Sequence, residues 1–276
     1  MKNILVPTDF SKYGKIAEST AISIAEKAKA NLDFLHLMDI PKYLSQSATA
    51  KPELPEELKI AIGAAHQYMN DLNHNATQKG LTVKTFISEN ASFDVIKNHI
   101  VQHNIDLIIM GSHGASGFKE AFLGSNTQKV LRSVSAPVLV LKEEPKIMNF
   151  TNIVFASTFK EDVHNAFEKI LSFANLYGAK IHLLFVNMPY NFEETANSND
   201  RMLKFAAHYP GNNFTTNIFN AFDEESGILN FSALNNIDLI ALTTHGKSGF
   251  IQMLSPSVTE SLANHSSLPV LSVNVK

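Results

Sequence analysis

Residues 111–125 read GSHGASGFKEAFLGS, and Gly111, Gly114, Gly124 and Ser125 give the pattern G-x-x-G-x9-G-[ST]. An apolar run, DLIIM, feeds straight into Gly111. Ser125 and Gln128 have the spacing of a capping box, which predicts a helix with Ser125 as its N-cap. A glycine-rich backbone beside a helix N-terminus offers free N–H donors and the positive end of a dipole, the chemistry that holds phosphate. Gly111 and Gly124 would let the main chain approach phosphate oxygens with no Cβ in the way. The same glycines would equally serve a plain strand-to-helix turn. Neither G-x-x-x-x-G-K-[ST] nor a G-x-G-x-x-G after the first apolar run is present, so the P-loop and nicotinamide fingerprints are missing. His113 reads as a loop histidine bonded to backbone, and Lys119 and Lys129 as solvated surface charges.

The elements that must position this loop are written twice. NILVPTDFSK (3–12) returns as NIVFASTFKE (152–161), and ANLDFLHLMD (30–39) as AKIHLLFVNM (179–188), both at an offset of 149. NIDLIIMGSHG (104–114) returns as NIDLIALTTHG (236–246), and SAPVLVLK (135–142) as SLPVLSVN (267–274), now at an offset of 132. The second copy has therefore lost residues between its second strand and NIDLI, which shortens its second helix. A duplication with boundaries 1–142 and 152–276 follows, joined by the charged, proline-bearing 142–151. In each copy short apolar runs (4–6, 32–38, 83–87, 106–110 and 137–141 in the first) alternate with helical patterns such as the one over 56–80. That grammar predicts two tandem α/β domains, each a doubly wound, five-stranded parallel sheet of Rossmann-like type with its ligand site at the carboxyl ends of the strands. One continuous ten-stranded sheet is the alternative, set aside because each copy carries a complete hydrophobic set. The apolar fifth strands would be exposed edges if unpaired, so they are expected to associate antiparallel within the chain, with a homodimer of chains as a further option.

Composition narrows the function classes. The 276 residues are 45% hydrophobic and 18% charged, with a net charge of -3, which argues against a general nucleic-acid binder. With no cysteine, disulfides and thiolate chemistry are excluded. No apolar run is long enough for a signal peptide or a membrane span, so the expected location is cytoplasmic. No paired carboxylates, histidine-carboxylate cluster or Ser-His-Asp pattern can be assembled from the sequence, which leaves a binding module, a structural adaptor or at most a slow ATPase.

Taken together, PTDFS after the first strand, LHLMD in the second, DLIIMGSHG in the fourth, the glycine pattern and APVLVLK in the fifth resemble the universal stress protein family, in its nucleotide-binding branch. The resemblance implies ATP with Mg2+ or Mn2+ as ligand. It would set Pro7, Thr8 and Asp9 near base and ribose, Asp9 accepting from a sugar hydroxyl, and Leu37 at the adenine through its backbone. Met110, Gly111, Gly114, Gly124, Ser125 and Asn126 would surround ribose and phosphates. Asp9 could instead cap the following helix. The second copy acts as an internal control. His113, Gly114, Ser116, Gly117 and Phe118 recur as His245, Gly246, Ser248, Gly249 and Phe250, and the capping box as Ser257 and Glu260. Asp9, Gly111 and Gly124 become Thr158, Thr243 and Pro256. Pro256 removes an N–H where a phosphate donor would sit. One competent and one degenerate nucleotide site per chain is the expectation.

Overall fold

The computed structural model describes residues 1–40, 54–113, 123–145, 148–160, 162–245 and 256–275. The first half runs β1 (Asn3–Thr8), α1 (Lys12–Ala28), β2 (Asn31–Leu37), α2 (Glu56–Thr77), β3 (Val83–Ser88), α3 (Phe93–Gln102), β4 (Leu107–Gly111), α4 (Ser125–Ser133) and β5 (Val138–Leu141). The second repeats it as β6 (Asn152–Ala156), α5 (His164–Tyr177), β7 (Lys180–Asn187), α6 (Thr195–Ala207), β8 (Phe214–Asn220), α7 (Glu224–Leu234), β9 (Leu239–His245), α8 (Pro256–His265) and β10 (Val270–Val275). The shortened helix of the second copy is α6, with 13 residues against 22 in α2.

Within each half all strand pairs are parallel. The halves then join through β5 and β10, which pair antiparallel with Val270 opposite Val140 and Leu271 opposite Leu139. The described strands thus form one sheet in the order β3-β2-β1-β4-β5-β10-β9-β6-β7-β8. The tandem five-stranded halves and the continuous sheet set aside from sequence coexist. Each half keeps its own five-stranded parallel order, but β5 and β10 are short and rich in apolar residues, and their mutual pairing satisfies their outer N–H and C=O groups away from water.

Strand alternation sends Ile4 and Val6 to one face and Leu5 to the other. On the first face α1, α2, α5 and α6 cover a core that runs unbroken from Phe34 to Phe205 across both halves. On the other, α3 and α4 cover one cluster and α7 and α8 a second. The duplication is legible in backbone strain as well. Phe10 and Phe159, at equivalent positions, both take the left-handed conformation (φ 63° and 55°), as do Asn104 and Asn236 (49° and 50°). A phenylalanine there is uncommon and marks a turn imposed by its surroundings.

Candidate functional site

Nine of the ten residues singled out from sequence, Pro7, Thr8, Asp9, Leu37, Met110, Gly111, Gly124, Ser125 and Asn126, line one cleft at the carboxyl ends of β1, β2 and β4. Gly114 lies outside the described residues. The cleft also takes in Gly14, Leu35, His113 and Thr127, none of which was assigned to it from sequence. Gly14 had a visible signal, a glycine in the first turn of a helix after PTDFS. A Cβ on it would lie 3.0 Å from Asp9 Oδ1 and 3.1 Å from Thr8 Oγ1.

The turn after β1 is organised by short polar side chains. Ser11, not Asp9, is the N-cap of α1, its hydroxyl accepting from the Gly14 N–H at 3.0 Å. Asp9 Oδ1 accepts instead from the Ser11 N–H at 3.1 Å, an Asx turn that aims the carboxylate along the cleft wall. Left-handed Phe10 donates its N–H to Thr8 Oγ1 and stacks on His36 at 4.0 Å. Beneath it, buried Glu18 accepts from the hydroxyls of Thr8 and Tyr68, the latter at 2.7 Å. Burial and the bond to Glu18 push the Tyr68 hydroxyl well above its ordinary value, so it remains a donor. Replacing Glu18 by Gln keeps the shape but leaves an amide N–H facing one hydroxyl. We expect a loss of about 1 kcal/mol, read as a lower urea midpoint at unchanged m-value.

The other wall is the start of α4, and here two expectations are corrected. Gly124 is the N-cap, Ser125 is the first helical residue, and no side chain caps the helix. Gln128, the expected partner in the box, donates instead to Glu260 Oε2 at 2.7 Å, and Glu260 is also held by Arg132. The second box fails likewise, since α8 begins at Pro256 and Ser257 lies inside it. The two supposed box partners thus bond each other across the halves, an amide donating to a carboxylate that Arg132 also pairs with. Second, Gly124 is not a free phosphate donor. Its N–H bonds Ser112 O at 2.8 Å, closing the loop, while Thr127 Oγ1 bonds Gly111 O at 2.9 Å. Gly111 also answers to packing. A Cβ there would lie 2.7–2.8 Å from Tyr13 Cβ, C and O, so α1 presses on it whether or not phosphate is near.

These struts hold the first turn of α4 against the end of β4. The donors left without an intrahelical acceptor are the N–H groups of Ser125, Asn126 and Thr127, all cleft-lining. His113 bonds the Ser112 hydroxyl through Nδ1 at 2.8 Å.

The corresponding end of the second half is built differently. Buried Thr158, in the place of Asp9, accepts through its carbonyl from Arg201 Nε at 2.8 Å. Arg201 also donates to Glu193 Oε2 at 2.7 Å, and Lys160 pairs with the same carboxylate. The Arg201 guanidinium sits over Phe185, the counterpart of His36, at 5.4 Å. The side chain of Pro256 lies outside the described residues. Burial pushes the Glu193 carboxyl up, but Lys160 and Arg201 outweigh it and hold it below its ordinary value of 4.5. A depressed folded value means stability present above the unfolded value and lost as pH falls through the folded one. Urea midpoints measured downward from pH 6 should therefore drop more steeply below the ordinary carboxylate value in the wild type than in Glu193→Gln. Parallel curves would remove the network from the account.

Among the described residues no helix is long and apolar enough to cross a membrane. A family model described as "Universal stress protein family" matches residues 1–142 and 221–274, more than half of the chain. The chain is 24% identical over 293 residues to universal stress protein Slr1230 of Synechocystis, with 98% of this chain and 99% of that protein covered. Over 145 residues it is 28% identical to universal stress protein MJ0531 of Methanocaldococcus jannaschii, covering 52% of this chain and 84% of the relative. A universal stress protein structure from Archaeoglobus fulgidus superposes over 99% of this chain and 98% of its own, with a TM-score of 0.74 at 19% identity, a likeness of fold.

Proposed function

Because the chain belongs to the universal stress protein family, we propose that it is a nucleotide-binding module whose first unit, residues 1–142, holds ATP with Mg2+ or Mn2+ and whose second, 152–276, holds none. The observation that carries this reading is the meeting, in one cleft, of the Asp9 carboxylate with the uncapped N–H groups of Ser125, Asn126 and Thr127. A helix start with three unsatisfied donors suits a polyphosphate, and a single carboxylate nearby suits a ribose hydroxyl. Pro7, Thr8 and Leu37 would frame the base, and Met110, Gly111, Gly114 and Gly124 the ribose and phosphate backbone. Asp9 is the one carboxylate among the described lining residues. The cation would then be held mostly by phosphate oxygens and water, as Mg2+ commonly is, and would offset the charge of the triphosphate.

In the second unit the Arg201–Glu193–Lys160 network supports the same reading from the other side. Arg201 and Lys160 are both engaged by Glu193, and Thr158 offers no carboxylate. We read the two units, joined through β5 and β10, as an intramolecular pair in which nucleotide occupancy of one unit alters what the whole surface binds, a signalling role in the cytoplasm. Mass spectrometry of small molecules released from the natively purified protein tests this. An adenine nucleotide near one per chain is expected. A different metabolite at that stoichiometry, in protein that then fails to take up ATP, would overturn it.

A further inference from the structure

We propose that Asp33, His99 and His103 form a binding site for one divalent transition-metal ion, at the opposite end of the sheet from the nucleotide cleft and independent of it. His99 and His103 stand one turn apart at the end of α3, so both rings reach the same point on β2. His99 Nε2 lies 2.9 Å and His103 Nδ1 2.6 Å from the same oxygen, Asp33 Oδ2. The two rings stack at 3.9 Å, and Phe86 packs edge-on against both. One donor atom from each of the three residues therefore falls within 4.8 Å of the others.

Two imidazoles and a carboxylate, with no thiolate, form a donor set that favours Zn2+, Co2+, Ni2+ or Cu2+ over Ca2+ or Mg2+. Tetrahedral bonds of roughly 2.0–2.1 Å separate ligand atoms by about 3.3 Å. The rings must back away from Oδ2 by about half an ångström, which His103, the C-cap of α3 and 25% exposed, is placed to do. Asp33 and His103 open onto a cleft lined by Asn3, Asn31, Thr82, Lys84 and Gln102, which gives an ion access and leaves room for water at the remaining coordination positions. Lys84, beside Asp33 in the sheet register, is exposed.

The fold does not require this set. At the equivalent positions the second half carries His182, Phe231 and Asn235, and the rings of His182 and Phe231 meet edge-on with centroids 6.1 Å apart. The neighbouring structural carboxylate is kept in both halves. Asp106 accepts from the N–H groups of Lys2 and Asn3, and Asp238 from those of Thr151 and Asn152. All three donors changed together where a purely structural aspartate did not.

The full chain, stripped with chelator, is titrated with Co2+ while its visible spectrum is recorded, and Zn2+ is then added as competitor. We expect one Co2+ per chain with a ligand-field spectrum that Zn2+ abolishes. In His103→Gln, checked for native circular dichroism, affinity should fall by at least roughly 100-fold, since loss of even an outer partner costs about 10–100-fold. His74→Gln, at an exposed histidine of α2, should change nothing. Should His103→Gln misfold, proton resonances of two imidazoles shifted by bound Co2+ in the wild type decide the matter. No saturable uptake, uptake unchanged in His103→Gln, or shifted resonances from other histidines would each overturn the site.

Discussion

Ser125→Pro is expected to weaken Mg·ATP binding by about 1.5–3 kcal/mol, roughly 10- to 100-fold, while leaving the melting temperature close to that of the wild type. Position 125 is the first residue of α4, where a helix accepts proline because the N–H has no intrahelical acceptor. The residue before a proline must be extended, and Gly124 already is, with φ −55° and ψ 137°. The substitution therefore removes one donor from the cleft without disturbing its frame. Ser125→Ala, which removes only the hydroxyl, should bind within a few-fold of wild type. If titration finds Ser125→Pro binding as tightly as wild type, the helix start is not where the phosphates sit. The alternative Gly124→Pro is a poorer probe, because it also breaks the Gly124 N–H to Ser112 O bond that closes the loop.

The second large effect is on stability. Gly111→Ala should cost about 1–3 kcal/mol in urea unfolding, the range for forcing extra volume into a packed site. Two of the three atoms a Cβ would meet, Tyr13 C and O, are backbone, so no side-chain rotation relieves the contact. In the second half buried Thr243 occupies this position, and α5 starts at His164, about one turn later than α1 does in the aligned repeat. Packing by α1 is thus by itself a sufficient reason for glycine at 111. A Gly111→Ala protein as stable as wild type would mean that α1 yields freely, and the packing explanation would fall.

The sequence carried most of the fold because its signals are local. Apolar runs, helix periodicity and the two offsets recur over short windows, and the strands they mark correspond to the observed ones within a residue or two. What it concealed depends on contacts between distant segments. Gln128 and Glu260 look like capping partners for their own helices, yet they face each other once β5 meets β10. The packing demand on Gly111 was hidden because the approach of Tyr13, nearly a hundred residues earlier, leaves no mark on the loop. Asp33, His99 and His103 are unremarkable in linear order and converge only when α3 packs on β2. The cleft itself was legible, since its residues sit at the ends of β2, β1 and β4, neighbours in the sheet on either side of the point where the strand order reverses. Of the three second-half changes, Asp9 to Thr158 remains the one whose consequence is visible, through the Arg201–Glu193 network that now occupies that end of the sheet.

The central claim, one competent nucleotide site per chain and that site in the first unit, is tested most directly by calorimetric titration of the full chain with Mg·ATP. We expect saturation at about one ATP per chain in the wild type and in Arg201→Ala, with the heat greatly reduced in Ser125→Pro. Two equivalent sites per chain, or a single site untouched by Ser125→Pro, would contradict it.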